Sequence, residues 1–77
     1  MGLTIKAAKL IPILIRLGFR VVRQAGSHVH LEHIVNKAKK VTVPMHNKDL
    51  AVKTLKSILG QAGISTKDFL KILRRKY

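Results

Sequence analysis

The chain has no cysteine and no tryptophan, and its only acidic residues are Glu32, Asp49 and Asp68. Lack of cysteine excludes disulfides and thiolate metal sites, and it fits a reducing cytosol. Aromatic residues are limited to Phe19, Phe69 and Tyr77, which argues against a platform that stacks bases on exposed rings. The apolar run LIPILI (Leu10 to Ile15) is far too short to cross a bilayer, and no small-residue cleavage site follows it. Export is not expected.

What the chain has in excess is positive charge. Sixteen lysines and arginines against three acids leave a formal net charge of +13 over 77 residues. That imbalance points to a polyanionic partner: nucleic acid first, then an anionic membrane surface or an acidic protein. The length suits one small domain spanning residues 1–77, and a hydrophobic content of 47% is ample for a packed core. No internal repeat, linker or second domain is visible.

Helical spacing over residues 5–17 places Ala7, Leu10, Ile11, Leu14 and Leu17 on one face, with Lys6, Lys9 and Arg16 opposite. Thr4 is the candidate N-cap. Pro12 removes a backbone donor, so a kink or a start nearer Lys9 is expected. Pro12 and Ile13 both project onto the polar side. Gly18 ends this helix. The run from Phe19 to Gln24 alternates as a strand, AGS turns the chain, and His28 to Val35 reads as a second strand. NKAKK is a basic turn before a third strand, Val41 to Val43, ended by Pro44. A second helix follows over residues 50–62, with Val52, Leu55, Ile58, Leu59 and Ala62 as its apolar stripe and Gly63 as its cap. STKD opens a last helix, to about Arg75, that buries Phe69, Leu70 and Leu73. The expected fold is α+β, with helices on one face of a three-stranded antiparallel sheet and a short helix at the C-terminal end.

Three of the four histidines fall between His28 and His33. On a strand, His28, His30 and Glu32 share one face, and Val29 and Leu31 share the other. The His-x-His pair is a geometry for two metal ligands, with Glu32 as a third. Zinc requires three or four ligands and oriented supporting groups, and the surrounding cations oppose a divalent ion, so no metal is expected. His30 and His33 read chiefly as solvent-facing polar residues, His33 breaking the alternation. His28 stands directly after a turn, Gly26–Ser27, that can present backbone N–H groups to a ligand. An imidazole exchanges its proton near neutral pH. Beside a bound phosphodiester it could deprotonate a ribose 2′-hydroxyl for attack on phosphorus, with nearby cations stabilising the developing charge. That chemistry requires RNA and needs neither metal nor cofactor.

The segments LGFRVVRQAGSHVHL, VTVPMH, TLKSILGQAGIS and FL, in this order and spacing, resemble the HicA-type mRNA interferase toxins of toxin–antitoxin pairs. The likeness runs from about Leu10 to Leu73. It implies the α-β-β-β-α fold of a double-stranded RNA-binding domain, ribonuclease activity on mRNA, and neutralisation by a HicB-type antitoxin that covers the active site. It also implies that the essential histidine is the one in GSH, His28, with Gly26 and Ser27 as the motif's turn. The chain departs from the usual pattern in carrying Val29 where a second histidine often stands, and NKAKK where a Pro–Asp–Gly turn is common. His46 matches the histidine after VTVP and precedes a helix whose N-terminus would attract phosphate.

The expectation is therefore a cytoplasmic, metal-independent endoribonuclease with His28 as general base or acid. RNA contacts are expected from Arg23, Gly26, Ser27, His30, Lys37, Lys39, Lys40, His46 and Lys48. Two rivals remain at this point: a double-stranded RNA-binding module without catalysis, and a cationic membrane-surface peptide. The strand pattern and the capped helices speak against the latter.

Overall fold

Short β-branched runs separated by turn residues pair here into one antiparallel sheet, and amphipathic helices before and after them supply its cover. The computed structural model describes residues 5–45 and 49–74. In chain order these form α1 (Ala7–Arg16), β1 (Phe19–Ala25), β2 (His28–His33), β3 (Lys40–Pro44), α2 (Val52–Ala62) and α3 (Thr66–Leu73). The sheet order is β1-β2-β3, so β2 is central and both its neighbours are edges. This is the α+β, double-stranded RNA-binding-domain-like arrangement expected from the sequence, with a further short helix.

Alternation divides the sheet. Val29 and Leu31 of β2 pair with Val43 and Val41 of β3, and all four are buried. Ala7, Leu10, Ile13 and Leu14 of α1 and Leu55, Ile58, Leu59 and Ala62 of α2 join them in one continuous core. Before the helices, Leu50 donates its N–H to the Ile5 carbonyl (2.9 Å), and Lys6 bridges to Asp49, tying the two helix entries together.

Ile13 corrects the expected face of α1. It is buried, whereas Ile11 and Leu17 are only half-buried. The stripe is centred on Leu10 and extends past it to Ile13, a span of about 120° on a helix with 3.6 residues per turn. Pro12 is exposed, as expected, but the helix begins at Ala7 and runs on through it. Lys6 is the N-cap, without a side-chain bond; Thr4 lies outside the described residues. The second strand stops at His33, leaving Ile34 and Val35 outside it, in the β2–β3 connection.

The two later caps follow their chemistry. Gly63 takes a left-handed conformation (φ +73°) after α2, and Ile64 donates its N–H to the Leu59 carbonyl at 2.9 Å. Ser65 Oγ accepts the Asp68 N–H at 3.1 Å to start α3. Phe69 of α3 is fully buried, and Ile72 and Leu73 are half-buried against the core. Leu70, expected inside, is instead 38% exposed. On this short helix Phe69, Ile72 and Leu73 already fill the inward arc at spacings of three and four.

Candidate active site

The two-residue loop Gly26–Ser27 closes the β1–β2 hairpin, with Ala25 paired to His28. Such loops need positive φ at their first position, and Gly26 supplies +59°. No heavy atom lies within 4 Å of where a Cβ would stand at Gly26. Glycine is therefore needed there for its backbone conformation and not for space. The loop is tied to the far strand, because Met45 donates its N–H to the Ser27 carbonyl at 2.6 Å. His28 thus begins the central strand at a fixed corner of the sheet, exposed and paired with Pro44 on its other side.

Pairing across the strands arranges the face away from the helices in rows. Ala25, His28 and Pro44 form the first, Arg23, His30 and Thr42 the second, and Arg20, Glu32 and Lys40 the third. The register shifts between Val21 and Arg23, a bulge at Val22 that lets Arg23 share this face with His30. The structure therefore brings His28, His30, Arg23, Gly26 and Ser27 to one end of the open sheet. His30 is half-buried, and its Nδ1 lies 3.1 Å from Thr42 Oγ1. Thr42 N–H, on the outer edge of β3, donates to Gln61 Oε1 of α2 at 3.1 Å. Thr42 and Gln61 were not singled out in the sequence: the strand register reveals Thr42, and the packing of α2 against β3 reveals Gln61.

The lysine loop is elsewhere. Lys37 and Lys39 lie in the β2–β3 connection, and Lys40 pairs with Glu32 near the far end of β2. From His28 to that end is about 17 Å, five strand steps of about 3.4 Å. The side chain of Lys39 also reaches α2: its Nζ would stand 3.1 Å from a Cβ on Gly63. An ammonium there complements the negative end of the helix. His46 and Lys48 lie outside the described residues.

His33 departs from the sequence reading. By parity it belongs with Val29 and Leu31, and it is half-buried beside Phe19, edge to face at a centroid distance of 5.0 Å. Its Nδ1 accepts the N–H groups of Val35 (3.2 Å) and Asn36 (3.1 Å), so the ring proton of the neutral imidazole sits on Nε2. His33 is a structural clamp on the loop after β2. Gly18 adopts φ +101° directly against it, and a Cβ there would lie 2.7 Å from His33 Nε2. Gly18→Ala should therefore combine left-handed strain with a clash against a ring that cannot move freely, at about 3 kcal/mol. In a chain this small the melting temperature should fall by more than about 10 °C. A shift of only one or two degrees would show that the ring yields.

Among the described residues, no three histidine or acidic side chains are grouped as metal ligands, and no helix is long and apolar enough to cross a membrane. No curated protein matches the chain. A family model described as the HicA toxin of bacterial toxin–antitoxin systems matches residues 7–64, which spans α1 through the cap of α2 and so contains the whole sheet. With the α-β-β-β-α order and the Gly26–Ser27–His28 corner in place, the chain belongs to the HicA toxin family.

Proposed function

We propose that this toxin is a metal-independent endoribonuclease whose residues 1–77 act as one domain in the cytoplasm, and that it cleaves mRNA through His28 and so inhibits translation. The observation that carries the reading is the position of His28. It is exposed at a hairpin corner tied to the chain after β3, in the row beside Arg23 and His30, on a sheet face that none of the described helices covers. His28 takes the proton of a ribose 2′-hydroxyl, and the 2′-oxygen attacks the adjacent phosphorus. Arg23 neutralises charge at the phosphorane, and Gly26 and Ser27 offer backbone groups at the turn. Lys37 and Lys39 in the loop beyond the far end of β2, and Lys40 opposite Glu32, about 14 Å along the strand from His28, hold the RNA backbone at a second point, and His46 and Lys48 join the phosphate contacts.

The partner in the pair is a HicB-type antitoxin with an acidic surface. Charge supports this, and so does the exposure of Val21, Val22, Ile34 and Val35 on and beside the edge strand β1. Exposed apolar residues within a basic surface suit an acidic protein better than bare solvent.

The products test the chemistry. Purified protein in excess EDTA should cut a labelled RNA to leave a 2′,3′-cyclic phosphate and a 5′-hydroxyl. Appearance of a 5′-phosphate, or complete loss of cleavage on chelation, would refute this mechanism. Tight RNA binding with no cleavage would favour a binding module without catalysis, which the charge alone could also serve.

A further inference from the structure

Attack by the 2′-oxygen needs a second proton transfer. As the P–O5′ bond breaks, the departing 5′-oxygen must gain a proton, since an alkoxide is a poor leaving group in water. We propose that His30, held by Thr42, is the general acid that supplies it. The proposal rests on the nuclease reading above and assigns the half of the reaction that His28 leaves open.

Among the described residues, few groups near His28 can release a proton at neutral pH. Arg23, in the neighbouring row, keeps its proton under all ordinary conditions. The hydroxyls of Ser27 and Thr42 are too weakly acidic. The lysines of the β2–β3 loop stand at the other end of the strand. An imidazole is the side chain suited to the task, and His30 lies two residues along the same strand face.

The spacing suits an in-line displacement. Two strand steps separate the residues by about 7 Å, which leaves room for one phosphoryl group between the rings. The entering and leaving oxygens lie on opposite sides of phosphorus, so a base and an acid must flank it. Arg23, beside His30, then stands where the charge of the phosphorane develops.

The hydrogen bond decides which nitrogen works. His30 Nδ1 lies 3.1 Å from Thr42 Oγ1. In the imidazolium, Nδ1–H donates to that hydroxyl oxygen, leaving Nε2–H directed away from β3 as the transferable proton. Thr42 is itself set by its N–H bond to Gln61 Oε1 of α2. Thr42 and Gln61 are thus positioning residues, and His30 is the group that meets the substrate.

The step balances. The 2′-oxygen gives its proton to His28 and forms the new P–O bond. The P–O5′ bond breaks, its electron pair stays on O5′, and that oxygen takes the Nε2 proton of His30. A cyclic phosphate and a 5′-hydroxyl result. His28 leaves protonated and His30 neutral, and solvent resets both.

A bridging sulfur isolates this role, because a thiolate leaves without being protonated. After the cut linkage is mapped on labelled RNA, a short RNA carrying it is made twice, with the 5′-oxygen and with a 5′-sulfur. His30→Ala should lose about 10²-fold or more on the oxygen substrate and cleave the sulfur substrate within a fewfold of wild type. Thr42→Val, nearly isosteric and with His30 intact, should show a smaller loss that sulfur also removes. His28→Ala should fail on both. Circular dichroism melts confirm that each variant is folded, and a structural role alone would not change the oxygen-to-sulfur ratio. Equal losses by His30→Ala on both substrates would make it a binding residue and overturn the proposal. An undiminished rate on the oxygen substrate, or sulfur rescue of His28→Ala instead, would overturn it as well. If wild type cleaves neither RNA, the nuclease reading itself falls, and this assignment with it.

Discussion

Replacing His28 by alanine should lower RNA cleavage by about 10²–10⁴-fold, the range for losing a positioned proton acceptor, while RNA affinity stays within about twofold. The two readouts separate because different residues supply them. Affinity for a polyanion comes from releasing counterions as many cations approach the backbone, and the chain carries sixteen lysines and arginines. Losing one proton transfer does not touch that sum. Folding should also be spared. His28 is exposed at the first position of β2, between Ala25 and Pro44, so its truncation opens no cavity. Exposed substitutions of this kind usually change stability by no more than about 0.5 kcal/mol. The comparison is made with wild type and variant purified alike, in excess EDTA, measuring single-turnover cleavage and binding across a salt series. Equal cleavage by both proteins would move the active site away from the Gly26–Ser27 corner. Tight binding without cleavage by either would leave a module that only grips RNA.

Where residues interact with near neighbours in sequence, the structure agrees with expectation. The Gly26–Ser27 turn, the inward pairs Val29–Leu31 and Val41–Val43, and the caps at Gly63 and Ser65 all follow from local geometry. What escaped was set between elements. Spacing puts Ile13 on the polar side of α1, because a stripe through Ala7, Leu10, Ile11, Leu14 and Leu17 is centred on Leu14, whereas the packed stripe is centred on Leu10. His33 looked like a solvated residue at the end of a strand. Its role comes from Gly18 and Phe19, which strand pairing delivers to it from 14 residues earlier at Phe19. Thr42 had no signal of its own, since a threonine in a β-branched strand is ordinary. Only the register that sets it opposite His30 gives it chemistry. Lys39 read as one more charge in a basic loop, and its approach to Gly63 depends on where α2 ends. The histidine corner was therefore visible as a motif, and the residues that orient it were not.

Phe69→Ala should be the most damaging single truncation in the core, costing about 3–5 kcal/mol. A domain of this length has a total stability of only about 4–12 kcal/mol at the usual value per residue, so the loss removes about a quarter of it or more and, at the lower end, leaves the variant largely unfolded. Two features raise the cost above that of an average core side chain. Phe69 is fully buried, and it is the one α3 residue that is, while Leu70 beside it is exposed and Ile72 and Leu73 are half-buried. Without the ring, eight residues of helix have little apolar surface left to hold them down, and helices this short do not persist alone in water. Denaturant melts should show a clearly lower midpoint for Phe69→Ala, whereas Leu70→Ala should lower stability by less than about 1 kcal/mol. A mild Phe69→Ala would mean that α3 is held by its cap at Ser65 and by Ile72 more than by the ring. The consequence reaches the candidate site through α2. α3 packs on α2, and α2 carries Gln61, whose side chain accepts the Thr42 N–H. Under conditions where the variant is still folded, loosening α3 should therefore slow cleavage of the natural oxygen substrate more than that of its sulfur counterpart. The asymmetry would connect a buried aromatic ring to the imidazole of His30, through one helix and one strand.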